Sequence, residues 1–329
     1  MKITTWLGGI ALSLSMTGSP VPAEALKVAT ISPEGTIWSQ QIIDFMDKAK
    51  EAGVGLEFEY FPSGQLGNQP DTLKGMLSGR VDIWVGVMPF LSAVTPEVNL
   101  FTMPYAFEDL HELKCVVPKM EEAIQRLADG KYELVNVVPV GVQDIASASP
   151  VRVPSDLAGK KVRVAPLPST IAFFKSIGAT PQPLPGAETA SALQTGLVEA
   201  VDLIPSFLVL TGSHKVAKYH IPTEHNYNLG VYAVSKRAWA KLNEAQRAAL
   251  KSAGEQLDFG AQVDDLVKFD EKILDKGASE GLESSALSAE EAKAWREAGL
   301  AVWDSVLADA PGDMANFRIK LDSAKTQCK

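Results

Sequence analysis

Short, β-rich apolar runs alternate with helical patterns along this chain, and the alternation stops and then restarts. No other feature restricts the fold as much. Strands separated by helices pair in parallel and bury both faces of their sheet. Residues 26–31, 56–61 and 81–87 read as the first three strands. Between them, Thr36 is placed to cap a helix over 38–52, with apolar residues at Trp38, Ile42, Ile43, Phe45, Met46 and Ala49. A second helix fits 71–78. The pattern returns with long apolar strands at 134–142 and 227–234, and with strands at 161–165 and 198–204. Helices are expected at 169–177 and 187–195. Two more are signed by their caps: Asn243 before 243–257, and Ser288 with Glu291 before 288–307.

A chain of 329 residues is long enough for two such cores. The expectation is an α/β protein of two hinge-linked lobes, type II-like, with a helical C-terminal region. The first lobe would hold 26–140 plus 229–268, and the second 141–228 plus 269–329. In open α/β sheets ligands sit at the carboxyl ends of strands, so the crevice between the lobes is the candidate site.

Lys2, the apolar run 6–14 and the small-residue segment 17–22 form an export signal, with cleavage expected after Ala23 or Ala25. The apolar run is shorter than a spanning helix. A net charge of −9 argues against a non-specific nucleic-acid binder. Export makes a bridge between Cys115 and Cys328 the expected state of the only two cysteines, although two free thiols fit the spacing as well. No Walker loop, nucleophile elbow or dinucleotide fingerprint is present. The residue five before Gly159-Lys160 is Pro154 where a phosphate loop needs glycine. His111, His214, His220 and His225 have no metal-ligand spacing and read as structural or surface residues. No enzyme, metal or cofactor is expected.

Several segments, in order, resemble a known family. They are Phe61-Pro62-Ser63-Gly64-Gln65-Leu66-Gly67, Ser78-Gly79-Arg80-Val81-Asp82, Met103-Pro104-Tyr105-Ala106-Phe107, 154–164 (PSDLAGKKVRV), Ala192-Leu193-Gln194-Thr195-Gly196 and Val234-Ser235-Lys236. Over 26–303 the chain is similar to the DctP-type solute-binding proteins of tripartite ATP-independent periplasmic (TRAP) transporters. The resemblance implies a periplasmic protein that captures a small organic acid, closes around it and presents it to integral membrane transporter subunits. A binding protein feeding a signalling receptor is the nearest alternative, and a secreted hydrolase or lyase a more distant one.

The family's central arginine falls on Arg163. A guanidinium is permanently charged and offers a rigid fork of donors that matches a carboxylate. Two positions depart from the family. Gln143 stands where a second arginine often occurs, and Leu203 or Ile204 where an asparagine often does. Both departures favour a less polar ligand. Glu34, Trp38, Gln65, Trp84, Met88, Phe90, Glu188 and Phe207 lie near strand ends and are further candidates for the pocket wall. For each aromatic the competing reading is core packing. For Gln65 it is a helix-capping role, and for Glu188 a solvated helix start.

Overall fold

The computed structural model describes residues 25–308 and 312–329. The expected export signal and the cleavage point after Ala23 lie outside the described residues. Among those described, one sheet holds β1 (Leu26–Thr30), β2 (Phe58–Phe61), β3 (Ile83–Val87), β4 (Tyr132–Ser147), β5 (Lys161–Val164), β6 (Thr180–Pro183), β7 (Ala200–Leu203), β8 (Tyr219–Ser235) and β9 (Glu283–Ser284). The helices of the first half of the chain are α1 (Ile37–Glu51), α2 (Gln69–Leu77) and α3 (Leu110–Ala128). In the second half come α4 (Pro168–Ser176), α5 (Thr189–Gln194), α6 (Pro205–Leu210), α7 (Lys236–Lys241), α8 (Glu244–Glu255) and α9 (Phe259–Ser279). The chain closes with α10 (Ala289–Leu300), α11 (Trp303–Ala308) and α12 (Met314–Thr326).

The strand order is β2-β1-β3-β8-β4-β7-β5-β6, with β9 beside β8. At each end the strands pair in parallel, as the alternating pattern requires: β1 with β2 and β3, and β5 with β6 and β7. The centre departs from that expectation. There β4 and β8 run antiparallel to each other and to their neighbours β7 and β3. One strand carries the chain out of the first half and the other brings it back, so both belong to both lobes.

These two strands are also far longer than their apolar runs, at 16 and 17 residues. Hydropathy ends early because Gln143, Asp144 and the polar stretch Glu224–Asn228 interrupt it. Pairing continues because the polar groups satisfy one another. Asp144 accepts from the Glu224 backbone N–H at 2.8 Å and pairs with His220 Nε2 at 3.0 Å.

The caps read from the sequence are in place. Thr36 accepts from the Ser39 N–H, and Asn243 and Ser288 each form a reciprocal box with the residue three ahead. The expected helix over 288–307 is divided between α10 and α11. Helix α3 has no counterpart in the expectations, since Pro118 inside it breaks the pattern. The cysteines are joined: Cys115 on α3 bridges Cys328 just beyond α12, with Cα atoms 5.8 Å apart. No helix among the described residues is long and apolar enough to cross a membrane.

Helix α9 lies against β4 and buries Asp270, whose Oδ1 has no hydrogen-bond partner. Burial, and then the Asp144 charge, raise this carboxyl from 3.8 to about 7. A carboxyl that binds its proton more tightly when folded stabilises the fold at low pH and loses that contribution as pH rises through the folded value. Wild-type stability should therefore fall between about pH 4 and pH 7, by at most about 1.4 kcal/mol per unit, and level off above. Asp270→Asn should flatten that slope and exceed wild type in urea midpoint at pH 8. Equal slopes in the two proteins would refute the assignment.

Candidate functional site

Arg163 is the third residue of β5, between β6 and β7, and only 4% exposed. Its donors are held by backbone carbonyls. Nε and Nη2 both donate to Leu184 O, at 3.0 and 2.8 Å, and Nη1 donates to Asp202 O at 3.0 Å. A guanidinium has five N–H groups. Three are engaged, leaving one on each terminal nitrogen. Burial pushes the group down to about 10, opposed by the charges of Asp202 and Glu188, so it remains a cation at neutral pH. Its side chain is locked in orientation before any ligand arrives.

Arg163 lines a chamber of about 400 Å³. The first half of the sheet contributes Ile31, Trp38, Val87, Pro89 and Phe90, and the second half Ala165, Leu167, Phe173, Leu203 and Phe207. Val140 and Ile204 meet where β4 crosses between the halves. A side chain at Gly141 would lie 2.9 Å from Ile204, so bare backbone is needed for that approach. The walls are mainly apolar; Ser63, Asn68, Gln69 and Thr102 add polar groups from the first half, and Gln143, Asp202, His225 and Asn228 form a second set that reaches Arg163 through Asp202.

The second set forms a chain. Asn228 Nδ2 donates to Gln143 Oε1, and Gln143 Nε2 donates to Asp202 Oδ1. His225 Nε2 meets the same Asp202 oxygen at 3.2 Å, and its Nδ1 meets Thr223 Oγ1 at 2.8 Å. Gln143 thus carries a neutral hydrogen-bond relay from β8 to β7.

Of the residues singled out from the sequence, Arg163, Gln143, Trp38, Leu203, Phe207 and Phe90 are brought together on the chamber. Trp84 and Met88 are placed elsewhere, fully buried in the core. The Trp84 indole folds over Gly86, where a Cβ would fall 1.9 Å from the ring, and its Nε1 donates to Thr72. Met88 opens a 3₁₀ turn that points it inward while Pro89 and Phe90 face the chamber. Glu34, Gln65 and Glu188 are exposed and off the chamber wall. Gln65 belongs to the turn whose neighbours Ser63 and Gly64 do line it. Glu188 acts on Arg163 only through its charge.

Sequence reasoning passed over Asp202, His225, Asn226, Asn228 and Phe173. Asn226 and Asn228 carried a signal, two amides at period two on one strand. His225 carried none, since it meets Asp202 only through sheet pairing. No cluster of potential metal ligands occurs among the described residues.

The profile of DctP, bacterial extracellular solute-binding protein family 7, matches residues 28–309. The chain is 28% identical over 273 residues to the 2,3-diketo-L-gulonate-binding periplasmic protein YiaO of Escherichia coli, covering 81% of this chain and 82% of that one. It is 27% identical over 317 residues to the C4-dicarboxylate-binding periplasmic protein DctP of Rhodobacter capsulatus, covering 91% and 92%. Among solved structures, a TRAP periplasmic solute binding protein from Desulfovibrio salexigens with bound orotic acid superposes with a TM-score of 0.86. It is 21% identical and covers 93% of this chain and 99% of its own.

Proposed function

The chain belongs to the DctP family of extracellular solute-binding proteins, and on that premise we propose that its chamber takes a small organic acid with one carboxylate and an apolar remainder. One observation carries this reading. Arg163 is a buried, pre-oriented cation with two N–H groups unengaged, on the wall of an otherwise mainly apolar chamber. The carboxylate would take those two donors, and Phe90, Phe173 and Phe207 would cover the remainder. The family places the protein outside the cytoplasm, where it would deliver its ligand to the integral membrane subunits of a TRAP transporter. Cleavage after Ala23 or Ala25 is part of this proposal.

We assign the lobes as 26–140 with 229–268 and 141–228 with 269–329. Supporting this, the Gly141–Asn228 and Val138–Gly230 pairs lie where β4 and β8 pass from one half to the other. Closure would bend the two strands there.

The test is a thermal-shift screen of the refolded mature protein against benzoate, phenylacetate, 4-methyl-2-oxopentanoate, orotate, succinate and glucuronate. A ligand at ~100 times its Kd adds about 2.7 kcal/mol, a plainly visible rise. The three apolar monocarboxylates should shift the midpoint most. A response confined to succinate or glucuronate would contradict the apolar reading, and silence from all six would contradict the carboxylate reading.

A further inference from the structure

Among the described residues, Arg163 and Asp202 are the only Lys, Arg, Asp or Glu side chains on the chamber wall, and their charges cancel. Both are nearly inaccessible, at 4% and 2%. Once the lobes close, a bound carboxylate would leave this mainly apolar space with one uncompensated negative charge, which is costly away from water. His225, itself 3% exposed, is built to remove it.

Its Nε2 faces the Asp202 carboxylate, which can only accept, so Nε2 carries the donated hydrogen. Its Nδ1 faces Thr223 Oγ1, a hydroxyl that can donate to a bare nitrogen or accept from a protonated one. The ring can therefore gain a proton at Nδ1 without losing a hydrogen bond.

The groups around it are accounted for. Asp202 comes from β7, with Arg163 beyond it on β5. From α4 come the Phe173 and Phe174 rings, 5.4 and 6.2 Å away. The His225 carbonyl accepts from the Tyr105 N–H, and Arg296 lies over that tyrosine's ring. On β8 itself Glu224 is bonded by Tyr227 OH, and Asp144 of β4 is turned toward His220 and the Glu224 N–H.

We propose that His225 takes one proton from solvent when a monocarboxylate binds, so that the chamber captures the anion and a proton together. This rests on the carboxylate reading above and deepens it. It also sets the ligand class. A second carboxylate would find no group to neutralise it, which selects monoanions over dicarboxylates.

Calorimetry with benzoate, phenylacetate and 4-methyl-2-oxopentanoate, each in phosphate, Hepes and Tris at pH 8, reads the proton directly. The observed enthalpy plotted against buffer ionisation enthalpy should give a slope near one proton taken up. Uptake of one proton at pH 8 also requires Kd to weaken about tenfold per pH unit around that pH. In His225→Gln both effects should vanish. In Asp202→Asn the bare Arg163 charge should accept the anion with uptake near zero. Binding by the wild type without uptake, or uptake that persists in His225→Gln, would overturn the proposal while leaving the carboxylate reading intact. No binding of any of the three acids would overturn both.

Discussion

Arg163→Ala should abolish the thermal response to organic acids, and Kd by calorimetry should weaken by roughly 30-fold to several thousand-fold. The range follows from the cost of truncating one partner of a buried charged pair, about 2–5 kcal/mol. The upper part is favoured here. The guanidinium is already largely desolvated, being only 4% exposed, so binding need not strip its water again. Its orientation is set by the Leu184 and Asp202 carbonyls, so little freedom is lost on contact. The variant should still fold, because the freed carbonyls border the chamber, where water can reach them. Arg163→Lys keeps the charge but replaces a fork with a point, and should fall between the two. A Kd for Arg163→Ala within threefold of wild type, in a protein with an unchanged unfolding midpoint, would remove Arg163 from the site.

The second large effect belongs to the Cys115–Cys328 bridge. It closes a loop with a sequence separation of 213. The chain-entropy relation puts the stabilisation from so long a loop at about 5 kcal/mol, and measured losses for native bridges run about 2–5 kcal/mol. Replacing both cysteines by serine should lower the thermal midpoint by roughly 3–8 °C for a chain of this size. Loss should begin at the C-terminus. There Phe317, Leu321 and Ala324 pack α12 onto the core, Phe317 edge-on to Phe101, and Lys325 reaches the Ala106 carbonyl and Glu112. These contacts are local, so hydrogen exchange in α12 should rise before exchange in β4 or β8. A midpoint equal to that of the oxidised wild type would show that the packing of α12 holds the tail without the bridge.

The relation between sequence and structure differs from element to element. Parallel strands buried on both faces give short apolar runs, so β1, β3, β5 and β7 could be placed to within a few residues. Helix caps depend on chemistry within three or four residues, so Thr36, Asn243 and Ser288 were legible. The long strands β4 and β8 were read at about half their length. Their polar ends are satisfied by partners such as Asp144 and His220, 76 residues apart, which no local pattern reveals.

The site divides in the same way. Arg163, Gln143 and Leu203 were placed by a motif and its spacing, and the walls Trp38, Phe90 and Phe207 by their nearness to strand ends. Trp84 and Met88 shared that nearness and went to the core. There the decision turned on one missing Cβ at Gly86 and on the first residue of a 3₁₀ turn. By itself, then, the sequence determined the α/β class and the two-lobe plan, which follow from periodicity and local chemistry, and its resemblance to the DctP family singled out Arg163 as the candidate cation. Only the tertiary structure decided which charges share the chamber. Arg163, Asp202 and His225 stand on three different strands, and long-range sheet pairing alone sets their balance of charge.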